Sequence, residues 1–259
     1  MNYSNMKAKE INTYLNNLPI DELEREINIL KNDMRPSVIK LVTKYSKTLD
    51  RHFKEVERIH QLSRYENELY EKGIRYIAGV DEAGRGPLAG PVFAAAVVLP
   101  PNTYIEGIND SKKLSERKRE ELYEIIISKA LAYNITSVTE KEIDEINIRN
   151  AAHKAMLEAI NSLKVRPDHA LIDGDEIKGM FLPCTAIVKG DSLSISIAAA
   201  SILAKVTRDR YIKKFDSIYP QYGFGKHKGY GTKEHIQAIK TYGLCPIHRK
   251  SFTSKFVSI

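Results

Sequence analysis

A chain of 259 residues, 42% hydrophobic and 28% charged, can bury one large core with an appendage. No apolar run approaches the ~20 residues of a membrane-spanning helix, and the opening MNYSNMKAKE lacks the basic-then-apolar order of a secretory signal; a soluble, cytoplasmic, monomeric protein is expected. Residues 1–70 carry 12 basic and 11 acidic side chains (+1), residues 71–210 carry 19 and 20 (−1), and residues 211–259 carry 9 and 2 (+7), so the net charge of +7 resides at the C-terminal end.

Residues 1–70 contain no glycine and many charges. Helical spacing marks Ile20–Leu30, with Asp21 as a candidate N-cap, and Val38–Leu49; Pro36 separates the two, and a third helix is expected from about Leu49 to Lys72. This reads as a helical N-terminal extension, residues 1–72, with solvated charge and no chemistry of its own. Glycine-rich, β-prone sequence begins at Gly73. Ile77–Val80 is expected as a strand, then a loop Asp81–Pro91, then a strand Val92–Leu99 ended by Pro100 and Pro101. A helix capped by Ser115 should reach about Tyr133, followed by a short strand near Ile135–Val138. One helix is expected from about Lys141 to Leu163, with Ile148, Ala152, Ala155 and Ala159 on its apolar face. Strands at His169–Ile172 and Thr185–Val188 follow, then a long helix from Ser194 toward Phe215 that Pro220 forbids from continuing. A loop Gln221–Thr232 with four glycines precedes a last helix, Lys233–Tyr242, with Gly243 at its C-terminal end. Strands alternating with helices after an initial hairpin argue for an α/β domain on a mixed sheet, residues 73–259.

Three of these strands end in acids: Val80 runs into Asp81 and Glu82, Ile172 into Asp173, and Val188 into Lys189, Gly190 and Asp191. Strand-end loops are where α/β sheets place chemistry. Four carboxylates at one sheet end repel unless cations neutralise them, and an all-oxygen set suits Mg²⁺ or Mn²⁺ rather than zinc. Any one of these acids alone reads rather as a turn former, and of the acids nearby Asp168 is expected to cap a turn and Asp175 and Glu176 to face water. The basic C-terminal segment reads either as a polyanion-binding surface or as a solvated tail. Cys184 and Cys245 lack metal-ligand spacing; sequence leaves a disulfide open, and a reduced pair without a catalytic role is expected.

The segment Tyr76-Ile-Ala-Gly-Val-Asp-Glu-Ala-Gly-Arg-Gly-Pro-Leu-Ala-Gly-Pro91 carries more information than its acids. With Asn109-Asp-Ser-Lys-Lys-Leu-Ser115, Ile172-Asp-Gly174, Lys189-Gly-Asp191, Ser201-Ile-Leu-Ala-Lys-Val206 and His227-Lys-Gly-Tyr-Gly-Thr232, it closely resembles the bacterial ribonuclease HII family over roughly residues 75–245. The resemblance implies a ribonuclease H-like mixed β-sheet flanked by helices. It also implies an endonuclease that hydrolyses the RNA strand of RNA–DNA hybrids and incises 5′ of single ribonucleotides embedded in duplex DNA. By matching position, Asp81, Glu82, Asp173 and Asp191 are implied as catalytic metal ligands for two divalent ions, Mn²⁺ or Mg²⁺, with hydrolysis leaving 3′-hydroxyl and 5′-phosphate ends.

Gly84-Arg85-Gly86 resembles the family's ribose-reading element. Glycines let peptide groups approach a 2′-hydroxyl, although a phosphate-cradling loop has the same composition. Tyr230 matches the tyrosine that stacks on the deoxyribose after the ribonucleotide. Lys112 leads the candidates for phosphate contact, ahead of Lys113, Lys226, His227 and Lys228; Arg85 either touches phosphate or braces its loop. Lys205, one turn after Ser201, either steadies the acids or snorkels from a core-facing helix. His153, His169, His235 and His248 are expected at the surface or at caps. The alternatives are the sister ribonuclease HIII and a non-catalytic RNA–DNA hybrid-binding module. The wholly helical N-terminal part and the Gly-Arg-Gly loop speak against the first, the four intact acids against the second.

Overall fold

The computed structural model describes residues 3–256; the outermost residues of the two expected domains, 1–2 and 257–259, lie outside that range. The chain packs as two compact units that divide in sequence between His60 and Gln61.

The first unit is helical. α1 (Ala8–Asn16), α2 (Ile20–Leu30) and α3 (Pro36–Leu62) enclose a small core in which Ile11 and Leu15, Leu23, Ile27 and Leu30, and Val38, Tyr45 and Leu49 are buried at helical spacing. α1 escaped sequence reading because only Ile11 and Leu15 mark its buried face. Asp21 is not the cap of α2; Pro19 holds that position, and Asp21 sits in the first turn, where an acid favours the helix dipole. The expected break near Leu49 is absent. Pro36 opens α3, where its missing N–H costs nothing, and no glycine or proline interrupts the helix before Leu62.

The second unit holds α4 (Arg64–Glu71) and a five-stranded sheet in the order β3-β2-β1-β4-β5. Its strands are β1 (Ile77–Ala83), β2 (Val92–Val98), β3 (Ala132–Val138), β4 (His169–Asp173) and β5 (Cys184–Ile187). The first three pair antiparallel, and β1–β4 and β4–β5 pair parallel. α5 (Glu116–Lys129) is capped by Ser115 as expected. The helix expected over Lys141–Leu163 is two, α6 (Glu140–Ile146) and α7 (Ile148–Asn161), because Asn147 adopts φ 65° and its side chain caps α7.

Strand alternation sorts the two sheet faces. Ala78 and Val80 of β1 and Ala170 and Ile172 of β4 pack with Ala151, Ala152, Ala155 and Ala159 of α7. Ile77, Leu171 and Ile187 pack instead with Ile197 of α8 (Ile195–Ile218). Gly79 faces α8 so closely that a Cβ there would lie 2.0 Å from the Ser196 carbonyl carbon. The glycine brings the helix start hard against the central strand, two residues before Asp81.

Beyond α8 the chain folds back through α9 (Phe224–His227), α10 (Lys233–Tyr242) and α11 (Lys250–Thr253). Leu88 and Ala89 from the β1–β2 loop share a core there with Ile212, Tyr222, Phe224, Ile239, Cys245 and Ile247. The basic C-terminal segment is therefore folded structure that packs on the glycine loop, not a solvated tail. Among the described residues no helix is long and apolar enough to cross a membrane.

Candidate active site

Asp81 and Glu82 lie inside β1, opposite Ala95 and Ala94 of β2, rather than in the loop expected to start at Asp81. Val80 pairs with Ile172, so Asp173, the next residue of β4, falls beside Asp81. β5 ends at Ile187, opposite Asp173. The chain then passes an exposed Val188 and a left-handed Lys189 (φ 59°) into a 3₁₀ turn, Gly190–Ser192, that carries Asp191. By alternation Asp81 and Asp173 share the α8 side of the sheet, where α8 itself begins just after Asp191. Glu82 points to the α7 side.

Crowding shows in the electrostatics. Burial pushes the Asp81 carboxyl well above its ordinary pKa, and Glu82, Asp173 and Asp191 push it further. Burial also raises Glu82, with Arg85 opposing and Asp173 adding to the rise. Asp191 is raised by burial as well, with Lys112 opposing and Asp110 and Asp173 adding to the rise. Each acid is held by a protein group. Asp81 Oδ1 accepts from the Glu82 N–H at 2.6 Å and Asp173 Oδ1 from the Gly190 N–H at 2.7 Å. Glu82 Oε1 lies 3.4 Å from Arg85 Nη1 and Asp191 Oδ2 3.3 Å from Lys112 Nζ. So engaged, no three His, Cys, Asp or Glu side chains converge as a ready-made metal shell among the described residues.

Lys112 therefore meets an acid of the cluster. Burial works against its ammonium, but Asp191 and Asp81 outweigh it and raise its pKa. Its 3₁₀ turn, Ser111–Lys113, is fixed by Asp110, which accepts from the Lys112 N–H at 2.8 Å.

The Gly84–Pro91 loop is held by two fully buried arginines. Arg249 donates to the carbonyls of Gly84 (2.6 Å), Arg85 (3.0 Å) and Gly90 (2.8 Å). Arg208 donates to those of Ala89 (3.1 Å) and Lys228 (3.0 Å), which ties the loop to the turn before Tyr230. Burial drags the Arg249 guanidinium down to about 9 and lowers Arg208 too. Tyr230 is half exposed; its Cε1 would touch a Cβ at Gly86 at 3.8 Å, and Lys205 and Arg208 lie 5.7 and 5.8 Å from its ring centre. Gly84, Arg85 and Gly86, in a loop that begins directly after the strand bearing Asp81 and Glu82, are thus brought together with Tyr230.

Profiles of known families match the chain in two segments. Ribonuclease HII matches residues 78–255, and the ribonuclease HII N-terminal domain matches residues 7–70. The chain belongs to the ribonuclease HII family. It is 55% identical to ribonuclease HII of Clostridioides difficile over 95% of this chain and 96% of that one. It is 51% identical to ribonuclease HII of Acetivibrio thermocellus over 98% and 99%. Its fold is similar to the crystal structure of ribonuclease H2 from Pyrococcus horikoshii, with a TM-score of 0.61 and 31% identity over 70% of this chain and 96% of that one. The ribonuclease HIII alternative is set aside by these matches.

Other expectations sort cleanly. Asp168 accepts from the Arg75 and Tyr76 N–H groups, and Asp175 pairs with Arg149, so both are structural. Lys205 does not reach the acid cluster; its ammonium binds Asp209 at 2.8 Å. The two cysteines are free. His235 and His248 are buried, not surface or cap residues, and form a chain. His235 Nδ1 donates to the Tyr230 carbonyl (2.9 Å), its Nε2 accepts from His248 Nε2 (3.0 Å), and His248 Nδ1 accepts from the Cys245 N–H (2.9 Å). His227 has both ring nitrogens on backbone, Tyr222 O and Gly229 N, and so is not available to phosphate as it stands. Arg208 and Arg249 carry no local signal in the sequence, because most of the carbonyls they bind lie more than a hundred residues away.

Proposed function

We propose that this chain hydrolyses the RNA strand of RNA–DNA hybrids and incises duplex DNA 5′ of single embedded ribonucleotides, within residues 73–259. The observation that supports the proposal is that four acids lie on β1, on β4 and in the turn after β5, close enough for Glu82, Asp173 and Asp191 to act on the Asp81 carboxyl, next to a glycine loop whose conformation two buried arginines impose. Ribonuclease HII relatives more than half identical over nearly the whole chain support it.

The acids fit a hard divalent cation. They offer oxygen donors only, and Asp81, Glu82 and Asp191 have pKa values raised first by burial and then by neighbouring carboxylates, a cost that a cation would offset. Asp81, Glu82, Asp173 and Asp191 would hold two such ions, Mn²⁺ or Mg²⁺. When bound, they supply water activation and stabilisation of the leaving 3′-oxygen, giving 3′-hydroxyl and 5′-phosphate ends.

The chain's own groups do the rest. Lys112 and Arg85 release Asp191 and Glu82 and turn to substrate phosphates, which position the duplex without reading it. The Gly84-Arg85-Gly86 peptides, fixed by Arg249, present hydrogen-bonding groups to the 2′-hydroxyl. Tyr230 packs on the following sugar and tests that it is deoxyribose. The protein is expected to act as a cytoplasmic monomer, the oligomeric state being measurable by light scattering.

The test is duplex DNA carrying one ribonucleotide, with Mn²⁺ or Mg²⁺, beside an all-DNA control. One cut 5′ of the ribonucleotide and none in the control is expected. Cleavage that survives both EDTA and Asp81→Asn would overturn the metal mechanism, and tight hybrid binding without any cleavage would favour the non-catalytic module.

A further inference from the structure

Glu66, in α4, lies within the segment matched by the family's N-terminal domain, yet its side chain is buried in the catalytic unit, 2% exposed. Its Oε1 accepts from the Ser194 hydroxyl at 2.5 Å and from the Ser196 N–H at 3.0 Å. Ser194 is the N-cap of α8 and uses the same hydroxyl oxygen to accept from the Ile197 N–H. Its own N–H returns to the Gly190 carbonyl at 2.9 Å, and Gly190 N–H is the group that holds Asp173. Asp191 is therefore bracketed between Gly190 and Ser194, and the far bracket is anchored on Glu66.

The other side of this turn has no slack. Gly79 presses on Ser196 and Ile197 with no room for a methyl group, so the first turn of α8 is caught between β1 and Glu66. Burial raises the Glu66 pKa against the pull of these hydrogen bonds, and its Oε2 has no partner among the described residues. A carboxylate with one oxygen unmet is an expensive way to join two helices, and a leucine would fill the space more cheaply. What leucine lacks is the acceptor that fixes Ser194.

We propose that Glu66 is a positioning residue for metal binding: from the end of the N-terminal segment it sets the Gly190–Ser194 turn, and with it the spacing of Asp191 and Asp173. The inference rests on the metal-dependent reading above. Groups hydrogen-bonded directly to metal ligands typically change affinity by about 10–100-fold when lost; Glu66 acts through Ser194 and Gly190, so the low end of that range is expected.

The experiment uses the full chain as wild type, Glu66→Ala, Glu66→Gln and Ser194→Ala. It reads Mn²⁺ affinity by calorimetry and by metal-induced thermal shift, together with kcat and KM on the single-ribonucleotide duplex. Glu66→Ala should weaken Mn²⁺ binding about tenfold or more while KM for the duplex at saturating Mn²⁺ stays unchanged. Glu66→Gln, which keeps the acceptor oxygen, should restore affinity to within about threefold of wild type, placing the effect in geometry rather than charge. Should Glu66→Ala fail to fold, Ser194→Ala must show the same loss of Mn²⁺ affinity. Wild-type Mn²⁺ affinity in a folded Glu66→Ala or Ser194→Ala, or a Gln variant as weak as Ala, overturns the proposal. A wild-type protein that neither binds Mn²⁺ nor cuts would instead sink the reading beneath it.

Discussion

A methyl group at Gly84 would lie 2.2 Å from Arg208 Nε on a backbone with φ 100°, whereas one at Gly86 would meet only Tyr230 Cε1 at 3.8 Å. The two glycines of one short motif therefore test different things. Gly84→Ala should cost about 2–4 kcal/mol from strain and overpacking, visible as a lower melting temperature, and it deforms the loop whatever the loop reads. Gly86→Ala should melt within about 0.5 kcal/mol of wild type yet discriminate less between ribo- and deoxyribonucleotide duplexes. If the ratio of the two cleavage rates is unchanged in a stable Gly86→Ala, ribose reading by that peptide is wrong. Asp81→Asn separates stability from chemistry in the same way. A carboxyl whose pKa is raised on folding binds its proton more tightly in the folded state, so stability is lost as pH rises through the folded value. The amide keeps the Oδ1 that accepts from Glu82 and never ionises. In EDTA the variant should melt above wild type by a margin that grows as pH rises above the ordinary carboxyl range, while cleavage falls to background. A variant less stable than wild type at pH 8 would refute the raised carboxyl, whose first cause is burial and whose second is the neighbouring acids.

At the scale of elements, the His235–His248 chain ties α10 to the turn bearing Tyr230 and imposes neutral rings. Burial, only partly opposed by the backbone acceptors, holds both pKa values down at about 4. The unfolded chain, with ordinary histidines, takes up protons first as pH falls below about 6.5. Stability from the chain is thus complete above that pH and declines toward pH 4, by about 1.4 kcal/mol per pH unit for each proton taken up. The raised carboxyls act in the opposite sense, so the informative quantity is a difference. Urea midpoints of wild type and His248→Asn should differ most near pH 7.5 and converge toward pH 5; a gap independent of pH would contradict the neutral chain. Elements of this kind mark where sequence reading stops. Strands, α5, α8 and α10 were legible because their periodicity and caps are local: Ser115, Ser194 and Gly243 each signal within a few residues. The acids were legible as strand ends, and their grouping with the glycine loop through the family's motifs. Asn147 was not, because an asparagine in the left-handed region looks like any polar helix residue. Nor were Glu66, Arg208 and Arg249, whose partners lie mostly far off in the chain, or the histidine pair, whose burial is decided by tertiary packing and not by local pattern.

For the molecule as a whole, the concentration of charge in residues 211–259 overstates what a polyanion meets. Arg249 spends its guanidinium on buried carbonyls, and Lys213 is paired with Glu116. Lys228 donates its ammonium to the Gly225 carbonyl. Lys226, by contrast, is exposed on α9, in the short stretch between the core residue Phe224 and Tyr230. Binding of a duplex should then depend on salt less steeply than seven phosphate contacts would require, since each neutralised phosphate contributes about −0.9 to the slope of log K against log salt. Lys226→Ala should reduce that slope by about one unit and weaken binding alike for hybrid and single-ribonucleotide duplexes, because a phosphate contact carries no information about the sugar. Lys213→Ala should leave the slope unchanged, its charge being already answered by Glu116. The measurement is Kd by fluorescence anisotropy from about 50 to 200 mM salt in Ca²⁺ or EDTA, where cutting does not interfere. Equal loss of slope in both variants would mean that the ion pair with Glu116 opens on binding and that the fold does not sort its cations as described.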